Sequence, residues 1–115
     1  MYDLIELQKI IRKFCDDRDW DQYHNLKDLL ISLSLECAEA LEHTQWKTEN
    51  ELQKLVSENS ELGAELADVL YWTLLIANKA NIDLSAAFTE KMKINESKYP
   101  VEKSKGSHKK YTELA

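Results

Sequence analysis

Turn-forming residues are scarce: the 115-residue chain has two glycines and one proline. An all-β fold needs a turn between every pair of strands, so this scarcity argues against one. It predicts an all-α bundle of four to five long helices joined by short connections. Cysteine is equally rare. Cys15 and Cys37 fall in partly apolar helical sequence and read as free thiols of a reducing cytoplasm, not as a disulfide framework. No apolar run approaches the roughly 18 residues of a membrane-spanning helix, so no membrane partner is expected. Met1-Tyr2-Asp3-Leu4 has neither the basic start nor the apolar run of a signal peptide, which also points to the cytoplasm.

Positive charge is scarce over most of the chain. Residues 1–90 hold 8 Lys/Arg against 18 Asp/Glu, a balance of −10, and residues 91–115 hold 7 against 3, a balance of +4. An acidic body disfavours a nucleic-acid polymer as partner, because a phosphate backbone needs a basic face. It does not exclude a small phosphate ligand that arrives with cations.

Helical periodicity organises what is present. Asp3, with Glu6 three residues later, caps a first helix that reaches about Asp16. Arg18 to Asn25 has no clean period and reads as an ordered loop. A second helix runs from about Leu26 or Asp28 to about His43, with Leu26, Leu29, Leu30, Leu33, Cys37, Ala40 and Leu41 as its core face. Thr48-Glu49-Asn50-Glu51 is a capping box for a short helix through Val56. A long helix follows from about Ser57 or Glu58 to about Ala80, apolar almost all round between Leu66 and Ala77. Such a helix must be covered on every side, which a bundle this small cannot do alone, so burial against another copy is expected. Asp83 caps a last helix ending near Tyr99-Pro100. Residues 1–100 therefore read as one helical domain, and 101–115 as a basic tail, mobile until something binds it.

Four acids stand out in this frame. Glu36-x-x-Glu39 and Glu65-x-x-Asp68 sit inside the apolar stretches of the two long helices. One such pair is common on a solvated face; two in equivalent places are not. With about 100° of rotation per residue, Glu36 and Glu65 fall roughly 80–90° from the predicted core directions and Glu39 and Asp68 roughly 140–150°. Both pairs are thus expected on matching helix edges, facing each other across a helix–helix contact. Four carboxylates so placed repel unless cations lie between them, and oxygen donors select hard ions: Mg²⁺, with Mn²⁺ as a substitute. A di-iron bundle needs Glu-x-x-His motifs, and no glutamate here has a histidine three residues later.

These acids, with Arg18-Asp19-Trp20-Asp21-Gln22-Tyr23-His24, Gln45-Trp46, Lys91-Met92-Lys93-Ile94-Asn95, Lys98-Tyr99-Pro100 and Lys110-Tyr111-Thr112-Glu113-Leu114, resemble the MazG-like all-α nucleotide pyrophosphohydrolases, close to their dCTP pyrophosphatase branch. The resemblance spans about residues 12–114. It implies Mg²⁺-dependent hydrolysis of a nucleoside triphosphate, dCTP or a related dNTP, to monophosphate and pyrophosphate, as nucleotide-pool house-cleaning. It implies a homo-oligomer, commonly a tetramer built as a dimer of dimers. Glu36, Glu39, Glu65 and Asp68 would hold metal and carry catalysis, with Glu39 nearest to the role of general base. Trp20, Asp21, Gln22, Tyr23, His24, Trp46 and Trp72 would line the nucleoside pocket, and Lys91 and Asn95 would reach phosphates or sugar. Three positions depart from the branch: Cys37-Ala38 where glycine is frequent, Asp28 in place of Asn, and Trp72 in place of Tyr. The alternative reading is a non-catalytic helical module, oligomeric or nucleotide-sensing.

Overall fold

The computed structural model describes residues 1–58 and 60–114. Among the described residues six α-helices follow in order: α1 Leu4–Asp17, α2 Leu26–Glu42, α3 Glu49–Glu58, α4 Ser60–Ala80, α5 Leu84–Lys98 and α6 Val101–Ser104. Short 3₁₀ turns occupy Asp21–Tyr23 and Tyr111–Glu113. No strand occurs among the described residues, so the all-α bundle expected from the turn-poor composition is the fold. No helix among them is long and apolar enough to cross a membrane.

The helix starts are written locally. Asp3 accepts a hydrogen bond from Glu6 N, Asn25 from Asp28 N and Asp83 from Ala86 N, each satisfying an otherwise orphaned first-turn donor. The capping box closes at α3, where Glu51 N donates to Thr48 Oγ1 (3.3 Å) and Thr48 Oγ1 donates to Glu51 Oε1 (3.1 Å). Thr48 N also donates to Glu51 Oε1 (3.4 Å), and this bond first, then the one from Thr48 Oγ1, holds the Glu51 carboxyl below its ordinary value.

The chain forms two compact units, Met1–Ile82 and Asp83–Ala115. In the first, α4 packs against both α1 and α2. Leu29 and Leu74 are the large side chains most completely buried there, at 1% exposure each. Burial of such a leucine stabilises by about 1.5–3 kcal/mol. Polar ties complete the α1–α4 contact: Gln8 Nε2 donates to Asn78 Oδ1, Asn78 Nδ2 donates to Gln8 O, and Cys15 Sγ lies 3.5 Å from the Tyr71 hydroxyl. Burial and Cys15 push that hydroxyl's pKa up. In the second unit the tail is not featureless. Beyond α6, Tyr111 packs edge-on against Tyr99, and Lys98 Nζ lies 4.7 Å from the Tyr111 ring centre.

The covered stripes of α2 and α4 are not quite those expected. On α2 the shielded positions are Leu29, Ser32, Leu33, Glu36, Ala40 and, just beyond the helix, His43, whereas Leu26, Leu30, Cys37 and Leu41 are exposed. On the first half of α4 they are Leu62, Glu65 and Val69, whereas Leu66 is exposed. At about 100° per residue, the α2 stripe is rotated by roughly 60–80° from the mean direction of Leu26, Leu30, Leu33 and Cys37, and the α4 stripe by roughly 35–40° from that of Leu62, Leu66, Val69 and Thr73. The rotation carries the first acid of each pair from the edge into the stripe.

Candidate metal and nucleotide site

The rotation brings the acids of α2 and α4 together. Glu36, Glu65 and Asp68 each present an oxygen within 4.8 Å of the others. Glu36 and Glu65 are half-buried and Asp68 is exposed. Glu39, also exposed, lies outside that group but close enough to raise the pKa of Glu36. Glu36 is thus the hub of the quartet. Its carboxyl is pushed up to about 7 by desolvation first, then by hydrogen bonding of the protonated form to Glu65, Glu39 and Asp68, and by the charge of Glu39.

Two atoms test whether the cluster suits a cation. Glu36 Oε1 and Glu65 Oε2 are buried, and among the described residues neither has a hydrogen-bond partner. An unpartnered carboxylate oxygen away from water is costly, and a divalent ion removes that cost. The donors are all oxygen, as hard ions require. The residues fit a divalent metal.

Without metal the cluster makes stability depend on pH. The folded Glu36 holds a proton up to about pH 7, against an ordinary value of 4.5. Between these values the folded state binds more protons than the unfolded state, so stability falls as pH rises through the window. The downward shift of Glu51 acts below 4.5 and does not offset this. The EDTA-treated protein is expected to melt at a lower temperature at pH 8 than at pH 5.5, and Mg²⁺ is expected to narrow the gap. Calorimetry in matched salt checks both; a higher apo melting temperature at pH 8 would contradict the cluster.

One end of the cluster opens onto an aromatic groove of about 560 Å³, walled by Phe14, Trp20, Tyr71 and Trp72, with Glu36 and Asp68 in its lining. The rings interlock edge-on: Phe14–Trp20 at 5.6 Å, Phe14–Tyr71 at 6.1 Å and Tyr71–Trp72 at 5.0 Å between centroids. Arg18 braces the wall, its guanidinium 3.8 Å from the Phe14 ring centre while Nη1 donates to Phe14 O. The turn after Trp20 is held by Gln22 Nε2, which donates to Asp19 O and Oδ2, with Asp19 in the left-handed region at φ 54°.

The structure divides the loop residues that the sequence groups together. Trp20 faces the acid-lined groove, but Asp21 and His24 line a separate polar cavity of about 330 Å³ with Arg12, Asn78 and Lys79. Tyr23 is 67% exposed. Trp46 is 91% exposed and held out from the helix end at φ 63°. Lys91 and Asn95 lie on α5 in the second unit, where Asn95 Nδ2 is 4.0 Å from Met92 Sδ. Three residues escaped the sequence reading of the site. Phe14 and Tyr71 look like ordinary core aromatics in sequence. His43 follows Glu36 by seven residues, two turns along the same stripe, a spacing that could have drawn attention to it.

A family model for the MazG-like family matches residues 31–114. The chain belongs to the MazG-like family. This MazG-like chain is 36% identical to human dCTP pyrophosphatase 1 over 114 residues, covering 96% of this chain and 67% of that protein. It is 35% identical to the bovine protein of the same name, covering 96% and 68% respectively. Among solved structures it is similar to a pyrophosphatase from Archaeoglobus fulgidus, with a TM-score of 0.78 and 39% identity, over 87% of this chain and 94% of that one.

Proposed function

We propose that this chain is a divalent-metal-dependent nucleoside triphosphate pyrophosphohydrolase that acts on dCTP or a related dNTP. The observation that carries the reading is that Glu36 and Asp68 belong both to the acid cluster and to the wall of the aromatic groove. A nucleotide has the same two-part character, a charged phosphate chain joined to a flat stacking base. The relatives' shared activity, named for dCTP, supports the substrate class.

In the reaction one water is consumed, the bridge between the α- and β-phosphates breaks, and monophosphate and pyrophosphate leave. Divalent ions, Mg²⁺ first, held by Glu36, Glu65, Asp68 and Glu39, would supply positive charge against the phosphates and acidify water. The chain's own groups set the geometry. Glu36 and Glu65 are half-buried, and Asp68 and Glu39 are exposed. Glu39 lies at the edge of the three-acid group, where it would both reach a metal ion and orient or deprotonate the attacking water. Trp20 and Trp72 stack on the base, with Phe14 and Tyr71 closing the groove against water.

Leu30, Ile31 and Leu35 on α2 and Leu66 and Leu70 on α4 are 42–60% exposed. So much uncovered aliphatic surface favours a homo-oligomer, read as a tetramer of two dimers. In that assembly Trp46 and the loop residues Asp21, Gln22, Tyr23 and His24 contact the nucleoside, and Lys91 and Asn95 contact phosphates or sugar. The direct test is the purified protein with a panel of dNTPs and NTPs, Mg²⁺, and pyrophosphate detection. Turnover is expected with a deoxypyrimidine triphosphate; no release from any nucleotide sinks the reading, and tight binding without release leaves a nucleotide sensor.

A further inference from the structure

His43 stands directly after α2 with both ring nitrogens engaged. Nε2 is 3.2 Å from Glu65 Oε1 and Nδ1 is 3.3 Å from Glu61 Oε2. The His43 and Glu65 side chains are largely shielded, at 27% and 20% exposure, while Glu61 is open to solvent at 69%. Glu65 therefore has two unlike oxygens: Oε1 is tied to the imidazole, and Oε2 is buried with no partner among the described residues.

A glutamate has three rotatable side-chain bonds. Facing Glu36 and Asp68, an ionised Glu65 is repelled from the place where a metal would need it. A hydrogen bond to one oxygen restrains the rotamers and leaves the second oxygen aimed into the cluster. We propose that His43 is a positioning residue that clamps Glu65 for metal binding, its ring held in turn by Glu61. This rests on the metal reading of the quartet given above. A carboxylate–imidazole–carboxylate relay of this kind adds no ligand of its own. It removes the ordering cost that Glu65 would otherwise meet when the ion arrives.

Loss of a group that orients a metal ligand weakens metal binding by about 10–100-fold. The experiment is Mn²⁺ titration of the full-length apoprotein, followed by calorimetry or by the electron-spin signal of free Mn²⁺, for the wild type, His43→Ala and His43→Gln. His43→Ala is expected to weaken Mn²⁺ binding by about tenfold or more. Its melting temperature in EDTA should stay close to wild type, because a part-exposed side chain beyond a helix end leaves no sealed cavity. His43→Gln keeps an N–H donor and is expected to recover part of the affinity. With substrate, His43→Ala should need more Mg²⁺ for half-maximal rate, while kcat at saturating Mg²⁺ recovers. Should the alanine variant not fold, His43→Leu removes the same donor and is read in the same way. Equal Mn²⁺ affinity in wild type and in the folded variant lacking the imidazole overturns the positioning role alone. A wild type that takes up no Mn²⁺ overturns the metal reading instead.

Discussion

Glu65→Gln is expected to fold normally and to hydrolyse nucleoside triphosphates at least ~10³-fold more slowly, a loss of about 4 kcal/mol of transition-state stabilisation. The side chain is 20% exposed and bonded to His43 through one oxygen. Glutamine has the same shape and still offers that oxygen to the imidazole, so the local structure has no reason to change. The other end becomes an amide NH₂, which points hydrogens at the place a cation would occupy. The charge that would draw the ion is gone as well. Two readouts must move together: the rate of pyrophosphate release, and the rise in melting temperature on adding Mg²⁺, which should largely vanish with the lost binding. A variant that keeps more than a tenth of wild-type activity would remove Glu65 from the catalytic set.

Glu36→Gln is expected to move activity and stability in opposite directions. Turnover should fall by a similar ~10³-fold, because the hub of the cluster loses its charge. Yet the metal-free protein should melt at a higher temperature than wild type at pH 8. The folded carboxyl resists ionisation up to about pH 7, through desolvation and three acid neighbours. At pH 8 it is ionised against that resistance, and the neutral amide does not meet it. At pH 5.5 the wild-type group is already protonated in the folded state, so the gain should shrink toward zero. Melting curves in EDTA at the two pH values, beside a turnover assay, check each half of the claim. A variant that is less stable than wild type at pH 8 would show that Glu36 does not stand in mutual repulsion with Glu39, Glu65 and Asp68. The opposition follows from function: a site arranged to receive a cation is strained when the cation is absent.

Local chemistry was legible in the chain alone. Asp3, Thr48 and Asp83 sit at helix starts because a short polar side chain can reach back to a first-turn amide, a contact spanning three residues; Asn25, read as loop, does the same for α2. The two acidic pairs and their likeness in spacing were equally plain, as was the absence of a Glu-x-x-His motif. Family membership was legible too, from short segments such as Arg18-Asp19-Trp20 and Lys91-Met92 spread over the sequence.

The rotational setting of the helices was not. On α2, Leu26, Leu29, Leu30 and Leu33 supply two overlapping apolar stripes, and periodicity alone cannot choose between them. Packing against α4 selects the stripe through Leu29 and Leu33, because Leu29 meets the buried core there and Leu30 does not. That choice turns Glu36 inward, and the matching turn of α4 brings Glu65 to meet it. It also sets His43 against Glu65. Packing of α1 against α4 places Trp20 and His24 on different cavities. The sequence by itself determined an all-α chain with two acidic pairs on two apolar helices. Only the tertiary structure decided which acids are shielded, which stand at the rim, and which histidine holds one of them, since each depends on contacts between side chains 20 to 40 residues apart.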